Sequence, residues 1–259
     1  MSEENFKVRT PWFRTYSKVR MLLTLLQGVS KAALRSMASA IEDQTGTPQN
    51  PVDWSAPDSW IGERLQGNDA QLAHHIWEDS HHTVSPRYIA GALFLMHIYE
   101  LLIPDEMGIY HISERGRLFL ENDPQTLREI DDAEGILQLL TILATKSQAR
   151  RSDLLPEWGD FLHARSKFGT EVTIKDTLRR RLVNLVERRL VLRMGNSYKI
   201  SPEGFVYITS GSSEEAKIAL QEVNPKREVS LAVEAYNDQK REENKQIHIN
   251  ANRKYAALV

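Results

Sequence analysis

Basic and hydrogen-bonding side chains are concentrated in residues 174–189, which read IKDTLRRRLVNLVERR. Arginine can bridge guanine or phosphate oxygens, asparagine can pair with adenine, and threonine can contact a phosphate or a thymine methyl group. The first turn of a helix also offers unpaired N–H groups to a phosphate. The segment therefore carries the chemistry that a helix lying in a DNA groove requires.

Helical periodicity predicts which of these side chains face outward. At about 100° per residue, Ile174, Leu178, Leu182 and Leu185 lie within about 40° of one line and predict a core stripe. We expect Thr173 to cap the helix, and we expect the side opposite the stripe to contact DNA. The predicted contacts on this helix are Thr173, Lys175, Thr177, Arg179, Arg180, Arg181 and Asn184. Alternatively the helix is ordinary solvated surface, partly neutralised by Asp176 and Glu187.

A repeated pattern places this helix in a larger element. Tyr110, Ile112, Ser113 and Gly116 recur as Tyr198, Ile200, Ser201 and Gly204, all at an offset of 88, which also aligns Leu102-Ile103 with Leu190-Val191. Each copy predicts a long helix, a strand, a tight turn, a second strand and a closing helix that begins at the serine. This is the second half of a winged-helix unit, a fold used mostly to bind nucleic acid. The second hairpin adds three predicted DNA contacts in its wing: Arg193, Asn196 and Lys199.

The fold class that follows is mainly α with short β-hairpins. We predict two tandem winged-helix domains, 1–122 and 123–211, and a charged helical tail or linker over 212–259. The helix before the first hairpin, 87–102, is apolar nearly all round and carries only Arg87 and His97 as plausible polar contacts. Because such a helix is normally buried, we expect the first wing to be structural, packing against the other domain or a second chain.

Other helices follow from caps and spacing. Periodic apolar residues predict a helix over 12–27, Ser30 is expected to cap a second, and 58–80 is expected to be helical in two pieces. Ser85 should cap helix 87–102, with Pro86 at its first position. Single helices are predicted over 126–145 and 151–163.

Several stretches resemble the N-terminal region of Mrr-like (type IV) restriction endonucleases. The most specific are 150–159 (RRSDLLPEWG), 168–170 (FGT) and 174–182 (IKDTLRRRL), and 12–16 (WFRTY) and 112–117 (ISERGR) fit the same picture. The resemblance covers roughly residues 10–240. It implies winged-helix DNA-binding domains ahead of a PD-(D/E)xK nuclease domain, which cuts modified foreign DNA with a divalent metal.

The nuclease part of that family is not evident in this sequence. Such a site needs an Asp on one strand and Glu-x-Lys on the next, converging on a metal. Two tripeptides match, Glu215-Ala216-Lys217 and Glu243-Asn244-Lys245, in charged sequence with no predicted strand beside them. We therefore expect no catalytic site and no cofactor in this chain. A divalent metal such as Mg²⁺ is expected only with a nuclease domain or partner.

Composition excludes several other classes. The chain has 259 residues, no cysteine and a net charge of −2. Without cysteine there are no disulfides, thiolate zinc sites or thiol nucleophiles. No apolar run is long enough for a membrane span, and residues 1–5 lack the apolar region of a signal peptide, so we expect a cytoplasmic protein with no membrane partner. His75, Asp79 and His82 share one helical face, but we expect surface histidines there and no metal site.

Three functions remain open. The first is a double-stranded DNA-binding protein related to restriction and phage defence, whose DNA is either modified or unmodified. The second is the DNA-recognition part of a restriction endonuclease whose nuclease domain or subunit is elsewhere. The third is a protein–protein adaptor that uses the apolar first wing, which the overall acidic charge supports. A homodimer or a nuclease subunit is a possible partner.

Overall fold

The computed structural model describes residues 6–210 except residues 45, 47, 48 and 50. This part of the chain is mainly helical, with eleven α-helices and two small antiparallel sheets, as the fold class predicts. The predicted tail over 212–259 and both Glu-x-Lys tripeptides lie outside the described residues.

The bounds of the elements are as follows. The helices are α1 Tyr16–Leu26, α2 Lys31–Glu42, α3 Pro57–Arg64, α4 Gly67–Asp79, α5 Ala90–Ile98, α6 Glu114–Leu120, α7 Pro124–Ala133, α8 Ile136–Ala144, α9 Arg151–Arg165, α10 Glu171–Glu187 and α11 Pro202–Thr209. The strands are β1 Leu102–Pro104, β2 Tyr110–Ile112, β3 Ala149–Arg150, β4 Val191–Met194 and β5 Ser197–Ile200. A 3₁₀ turn, Pro86–Tyr88, precedes α5.

The described residues form two compact units. The first unit contains the described residues up to Ile136 together with Trp158–Asn184, and the second contains Leu137–Glu157 together with the described residues from Leu185 onward. Compactness does not test whether a segment folds independently. The domains 1–122 and 123–211 therefore stay a prediction.

The core of the first unit is built around α1. Its buried side chains recur at helical spacing, and they are Tyr16, Val19, Leu22, Leu23 and Leu26. The helix packs against α4, α5 and α6. The rings of Tyr16 and Phe119 meet edge to face with centroids 5.0 Å apart, which joins α1 to α6.

The same local structure occurs once in each unit. In the first unit, Ser113 Oγ accepts a hydrogen bond from Gly116 N at 2.9 Å, and in the second, Ser201 Oγ accepts one from Gly204 N at 2.9 Å. Both serines therefore cap their closing helices, α6 and α11, as predicted. Each cap follows an antiparallel hairpin, β1–β2 or β4–β5.

The two glycines of the repeat are needed for the same close approach. A Cβ added at Gly116 would lie 2.2 Å from Leu101 O, and one added at Gly204 would lie 2.2 Å from Leu190 O. Only a residue without Cβ allows the closing helix to pack this tightly on the backbone that enters the hairpin.

The predicted alignment of the repeat is wrong by one residue before the turn. Tyr110 pairs with Pro104, whereas its counterpart Tyr198 pairs with Arg193, so the first hairpin holds one more residue between the paired positions. Leu101 rather than Leu102 is therefore the counterpart of Leu190. The offset of 88 holds only after the turn.

A further strand or bridge extends each hairpin. In the second unit β3 pairs with β5, giving a three-stranded antiparallel sheet in the order β3-β5-β4. In the first unit the corresponding pairing is a single bridge between Ser30 and Ile109. Ser30 also caps α2, since its side chain accepts a hydrogen bond from Ala33 N.

Two predicted helices are interrupted. The predicted bounds of helix 87–102 are wrong at both ends, because α5 spans only Ala90–Ile98. The predicted cap is also wrong, because Ser85 makes no side-chain cap hydrogen bond to the 3₁₀ turn that follows it. Segment 126–145 is not one helix either. It forms parts of α7 and α8, because Gly135 has a φ of +70°, a left-handed conformation that ends a helix.

The remaining helix predictions fit more closely. The two pieces of 58–80 are confirmed as α3 and α4, and 151–163 falls within α9. Segment 12–27 begins its helix later than predicted, at Tyr16. The first turn of α10 also differs, because it starts at Glu171. Thr170 rather than Thr173 acts as its cap, since Thr170 Oγ1 accepts a hydrogen bond from Thr173 N at 3.4 Å.

Candidate functional site

The core stripe predicted for α10 is confirmed. Ile174, Leu178, Leu182 and Leu185 are all buried. The helix is buried over a wider arc than one stripe, however, and this decides which polar side chains remain accessible.

Three of the predicted DNA contacts on α10 are buried in the first unit. Thr177, Arg181 and Asn184 each have 0% exposure, so the prediction that they lie on the accessible side of the helix is wrong. Thr177 Oγ1 accepts a hydrogen bond from Trp158 Nε1 at 3.1 Å and donates one to Ile174 O at 2.9 Å. Its hydroxyl group is thereby used inside the protein.

Arg181 forms the centre of a buried polar network. Its Nη2 donates to Glu134 Oε2 at 2.5 Å and its Nε donates to Glu134 O at 2.7 Å. The Glu134 carboxylate also accepts from Thr10 Oγ1 at 2.7 Å and from the Tyr99 hydroxyl at 2.6 Å. Burial lowers the pKa of Arg181, and the Glu134 carboxylate opposes that effect. Arg181 therefore joins segments distant in the chain.

Asn184 has a similar structural role. Its Oδ1 accepts a hydrogen bond from Tyr16 N at 2.9 Å, which pairs the first backbone donor of α1. The Tyr16 hydroxyl group donates to the buried Asp131 carboxylate at 2.6 Å. Backbone donors in a first helical turn lack intrahelical partners, so Asn184 stabilises the start of α1.

The accessible side of α10 in the first unit is basic but partly neutralised. Lys175 and Arg179 are exposed, whereas Thr173 and Arg180 are half-buried. Arg179 Nη2 lies 2.6 Å from Asp176 Oδ1, and Arg180 Nε lies 2.5 Å from Asp176 Oδ2. Lys175 forms an ion pair with Glu171.

A third arginine, which the sequence did not single out as a contact, belongs to this group. Arg14 precedes α1, and its pKa is lowered by burial and then by the positive charges of Arg180 and Arg179, while Asp176 raises it. The carboxylate of Asp176 therefore offsets only part of the positive charge of three guanidinium groups. We define Arg14, Lys175, Asp176, Arg179 and Arg180 as the basic face of the first unit.

Burial opposes the ionisation of Asp176, but hydrogen bonds from Arg180 and Arg179 outweigh it and lower the pKa of this carboxyl. Asp176 is therefore charged at neutral pH. The basic face keeps a net positive charge even so. The spacing of residues in the sequence does not indicate that Arg14 belongs to this face, because Arg14 is distant in the sequence from α10.

The predicted wing contacts lie on the sheet of the second unit. Arg193 and Asn196 are exposed and Lys199 is half-buried. Gly195 has a φ of +62° in the tight turn, and Arg193 Nε donates to Gly195 O at 3.1 Å. The strand register adds a residue that the sequence did not single out as a contact, because the exposed Arg150 of β3 pairs with Ser197 of β5.

The first wing exposes more apolar surface than its sequence suggests. In and beside α5, Leu95 and Met96 are buried, but Phe94 is 43% exposed and Tyr88 is 50% exposed. Trp12 is 57% exposed, and its backbone contacts α5, since a Cβ added at Gly91 would lie 2.1 Å from Trp12 O. This surface is available for contact with another molecule.

The histidine cluster is explained by local contacts. His75 Nδ1 lies 2.5 Å from Asp79 Oδ2, whereas the ring of His82 stacks on Trp77 with centroids 4.8 Å apart. Across the described residues, no group of three or more His, Cys, Asp or Glu side chains is arranged to hold a metal ion.

No helix among the described residues has both the length and the apolar content to cross a membrane.

No family model, curated protein or solved structure matches this chain. The resemblance to Mrr-like restriction endonucleases therefore stays a prediction from the sequence.

Proposed function

We propose that this chain is a double-stranded DNA-binding protein related to restriction and phage defence. The observation that carries the proposal is the basic face, where Arg179 and Arg180 share the carboxylate of Asp176 and their positive charges lower the pKa of the neighbouring Arg14. Like charges held this close repel one another, and a polyanion relieves that repulsion.

The order of elements supports a tandem winged-helix reading of the chain. In the second copy a helix, a short strand and two further helices precede the β4–β5 hairpin. The first copy has the same serine cap and the same glycine after its hairpin. A winged-helix protein places its last helix before the hairpin in the major groove, which assigns that role to the accessible side of α10.

The proposed contacts differ from the set predicted by periodicity. On α10, Lys175, Arg179 and Arg180 contact the duplex, whereas Thr177, Arg181 and Asn184 act inside the protein. In the second unit, the proposed backbone contacts are Arg150, Arg193, Asn196 and Lys199. Each surface is proposed to contact DNA by itself and is tested by itself.

The test is duplex binding by fluorescence anisotropy at several salt concentrations. The logarithm of the association constant should fall linearly with that of salt, with a slope of about −0.9 per phosphate contact. In the variant Lys175→Gln/Arg179→Gln the slope should become shallower by about 2. Arg117→Gln is the matched control, because Arg117 is an exposed arginine of α6 that pairs with Glu114.

Absence of duplex binding by the unaltered protein at about 50 mM salt would contradict the proposal, given that non-specific affinities are about 10⁻⁴–10⁻⁶ M even at physiological salt. An unchanged slope in the double variant would contradict the assignment to α10. Addition of Mg²⁺ to the same samples, followed by electrophoresis, tests for cleavage.

The second candidate function is a protein–protein adaptor. It is favoured by the exposed aromatic residues at the first wing, Trp12, Tyr88 and Phe94. Aromatic residues are enriched at the centres of protein interfaces. If the chain is an adaptor without DNA contact, duplex binding is absent at low salt and Trp12→Ala weakens self-association or partner binding.

A further inference from the structure

The loop before α1 and the loop after α4 enclose a small pocket in the first unit. Its volume is about 120 Å³, below the range of about 300–1,000 Å³ typical of pockets for drug-sized ligands. The lining residues are Arg14, Lys18, Leu22, Thr83, Val84, Ser85, Tyr88 and Ala92. Among these eight described residues two are cationic, two carry aliphatic hydroxyl groups and none is acidic.

Both cations line the pocket where the chain enters α1. Arg14, Lys18 and Leu22 are spaced four residues apart, so Lys18 and Leu22 lie one helical turn from each other. Arg14 is held in place, because its Nη2 donates to Tyr88 O at 2.9 Å. Leu22, Val84 and Ala92 supply apolar walls, which lower the local dielectric constant and strengthen the attraction between a cation and an anion.

Two donors at this pocket have no partner within the described part of the protein. Arg14 Nε and Ser85 Oγ are both buried and make no hydrogen bond there. Ser85 stands at the cap position of the following 3₁₀ turn without making the cap bond that its position favours. Buried donors are almost always paired in native proteins, so these two indicate an acceptor-rich ligand.

Charge selects the class of ligand. The pKa of Arg14 is lowered by burial and by Arg180 and Arg179, and Asp176 compensates only part of this repulsion. A tetrahedral oxyanion offers several acceptor oxygens and negative charge in a small volume, which matches the donors and cations present. A neutral ligand would leave the charges of Arg14 and Lys18 unbalanced.

We propose that the pocket formed by Arg14, Lys18, Thr83 and Ser85 binds one phosphate group. The group comes either from a duplex backbone or from free phosphate. The duplex form rests on the proposed DNA binding, whereas the free-phosphate form does not. In both forms Arg14 and Lys18 balance the charge, and the hydroxyl group of Ser85 donates to a phosphate oxygen.

The first arm of the test uses inorganic phosphate and the full chain. Titration at constant ionic strength, with chloride as the balancing anion, should raise the melting temperature in a saturable way. Lys18→Gln and Ser85→Ala should each weaken phosphate binding about tenfold, as expected for a lost hydrogen bond to a charged group. Arg117→Gln, which removes an exposed arginine of the same unit, should leave phosphate binding unchanged.

The second arm uses the duplex of the salt titration. If the pocket takes a backbone phosphate, Lys18→Gln should make the salt slope shallower by about 0.9, and Ser85→Ala should weaken binding with little change in slope. If the protein binds inorganic phosphate and Lys18→Gln leaves the salt slope of duplex binding unchanged, the pocket is a site for free phosphate. A changed slope without binding of inorganic phosphate supports it as a backbone site.

Two results separate this proposal from the proposed function. If the unaltered protein binds phosphate but not duplex DNA, DNA binding is wrong and the pocket stands. If duplex binding is intact and neither Lys18→Gln nor Ser85→Ala alters either arm, the pocket proposal is overturned and DNA binding stands. Ser85→Ala removes only a hydroxyl group, so far-UV circular dichroism should show an unchanged fold in that variant.

Discussion

Arg181 Nη2 lies 2.5 Å from Glu134 Oε2, and both side chains have 0% exposure. Arg181 lies in α10 at a position where sequence periodicity predicts a DNA contact at the edge of the accessible side. A guanidinium group that also donates to Glu134 O and Thr10 O has its donors used inside the protein. One of the three consecutive arginines is therefore part of the fold.

Breaking this pair should destabilise the first unit strongly. Glu134→Gln leaves the buried charge of Arg181 without its counter-ion, and loss of one partner of a buried pair costs about 3–5 kcal/mol. Urea denaturation followed by circular dichroism measures the loss. Arg179→Gln, on the exposed side of the same helix, should change the free energy of unfolding by no more than about 0.5 kcal/mol. Equal effects in the two variants would contradict the structural role of Glu134.

The limits of prediction on α10 have a physical origin. Ile174, Leu178, Leu182 and Leu185 are recognised as core because apolar residues at helical spacing have one common explanation. Burial of Arg181 and Asn184 depends on Glu134 and Tyr16, which are distant in the sequence. A polar side chain looks the same in a sequence whether its partner is water or a buried carboxylate.

Features that depend on residues close together in the sequence are predicted better than contacts between distant residues. The caps by Ser113 and Ser201 depend on a donor three residues along the chain, so the sequence contains both partners. Arg14 shows the opposite case, because its neighbours on the basic face come from α10 and it lies before the periodic part of α1. No local pattern places it beside Arg180.

The repeated glycines should be intolerant of even a methyl group. In Gly116→Ala and Gly204→Ala the new Cβ would meet a backbone oxygen at 2.2 Å, so the backbone must shift. Overpacking of this kind costs about 1–3 kcal/mol. Gly62→Ala is the matched control, because that helical position has nothing within 4 Å and should be stabilised by about 0.5–1 kcal/mol. Thermal unfolding of the three variants measures the contrast.

The serine caps should contribute equally in the two copies. Ser113→Ala and Ser201→Ala each remove the acceptor for a glycine N–H, at a cost of about 1 kcal/mol. Replacement by Asp should not restore the loss, because each serine hydroxyl also donates to a carbonyl oxygen, Glu100 O or Arg189 O, which a carboxylate would repel. Chemical denaturation would contradict this if either Ala variant were as stable as the unaltered protein.

The wing should affect DNA binding without affecting stability. Arg193 lies in β4 and Lys199 in β5 of the second unit. In Arg193→Gln/Lys199→Gln the salt slope of duplex binding should become shallower by up to about 2, while the melting temperature stays the same. Asn196→Ala, which removes no charge, is the comparison. A slope unchanged in the charge variant would exclude the wing as a backbone contact.

Neutralising Asp176 should separate its two effects, on stability and on DNA affinity. Its pKa is lowered in the folded protein, so its ion pairs add stability above the unfolded value of about 3.9, and that stability is lost as pH falls through the folded value. Asp176→Asn should therefore be less stable than the unaltered protein at pH 7, and the difference should shrink below about pH 4. In the duplex assay at pH 7 the same variant should bind more tightly, because Arg179 and Arg180 then lack the carboxylate that pairs with them. Tighter binding with lower stability cannot come from a general loss of structure, whereas weaker binding by the folded variant would show that Asp176 orients Arg179 and Arg180 for the contact.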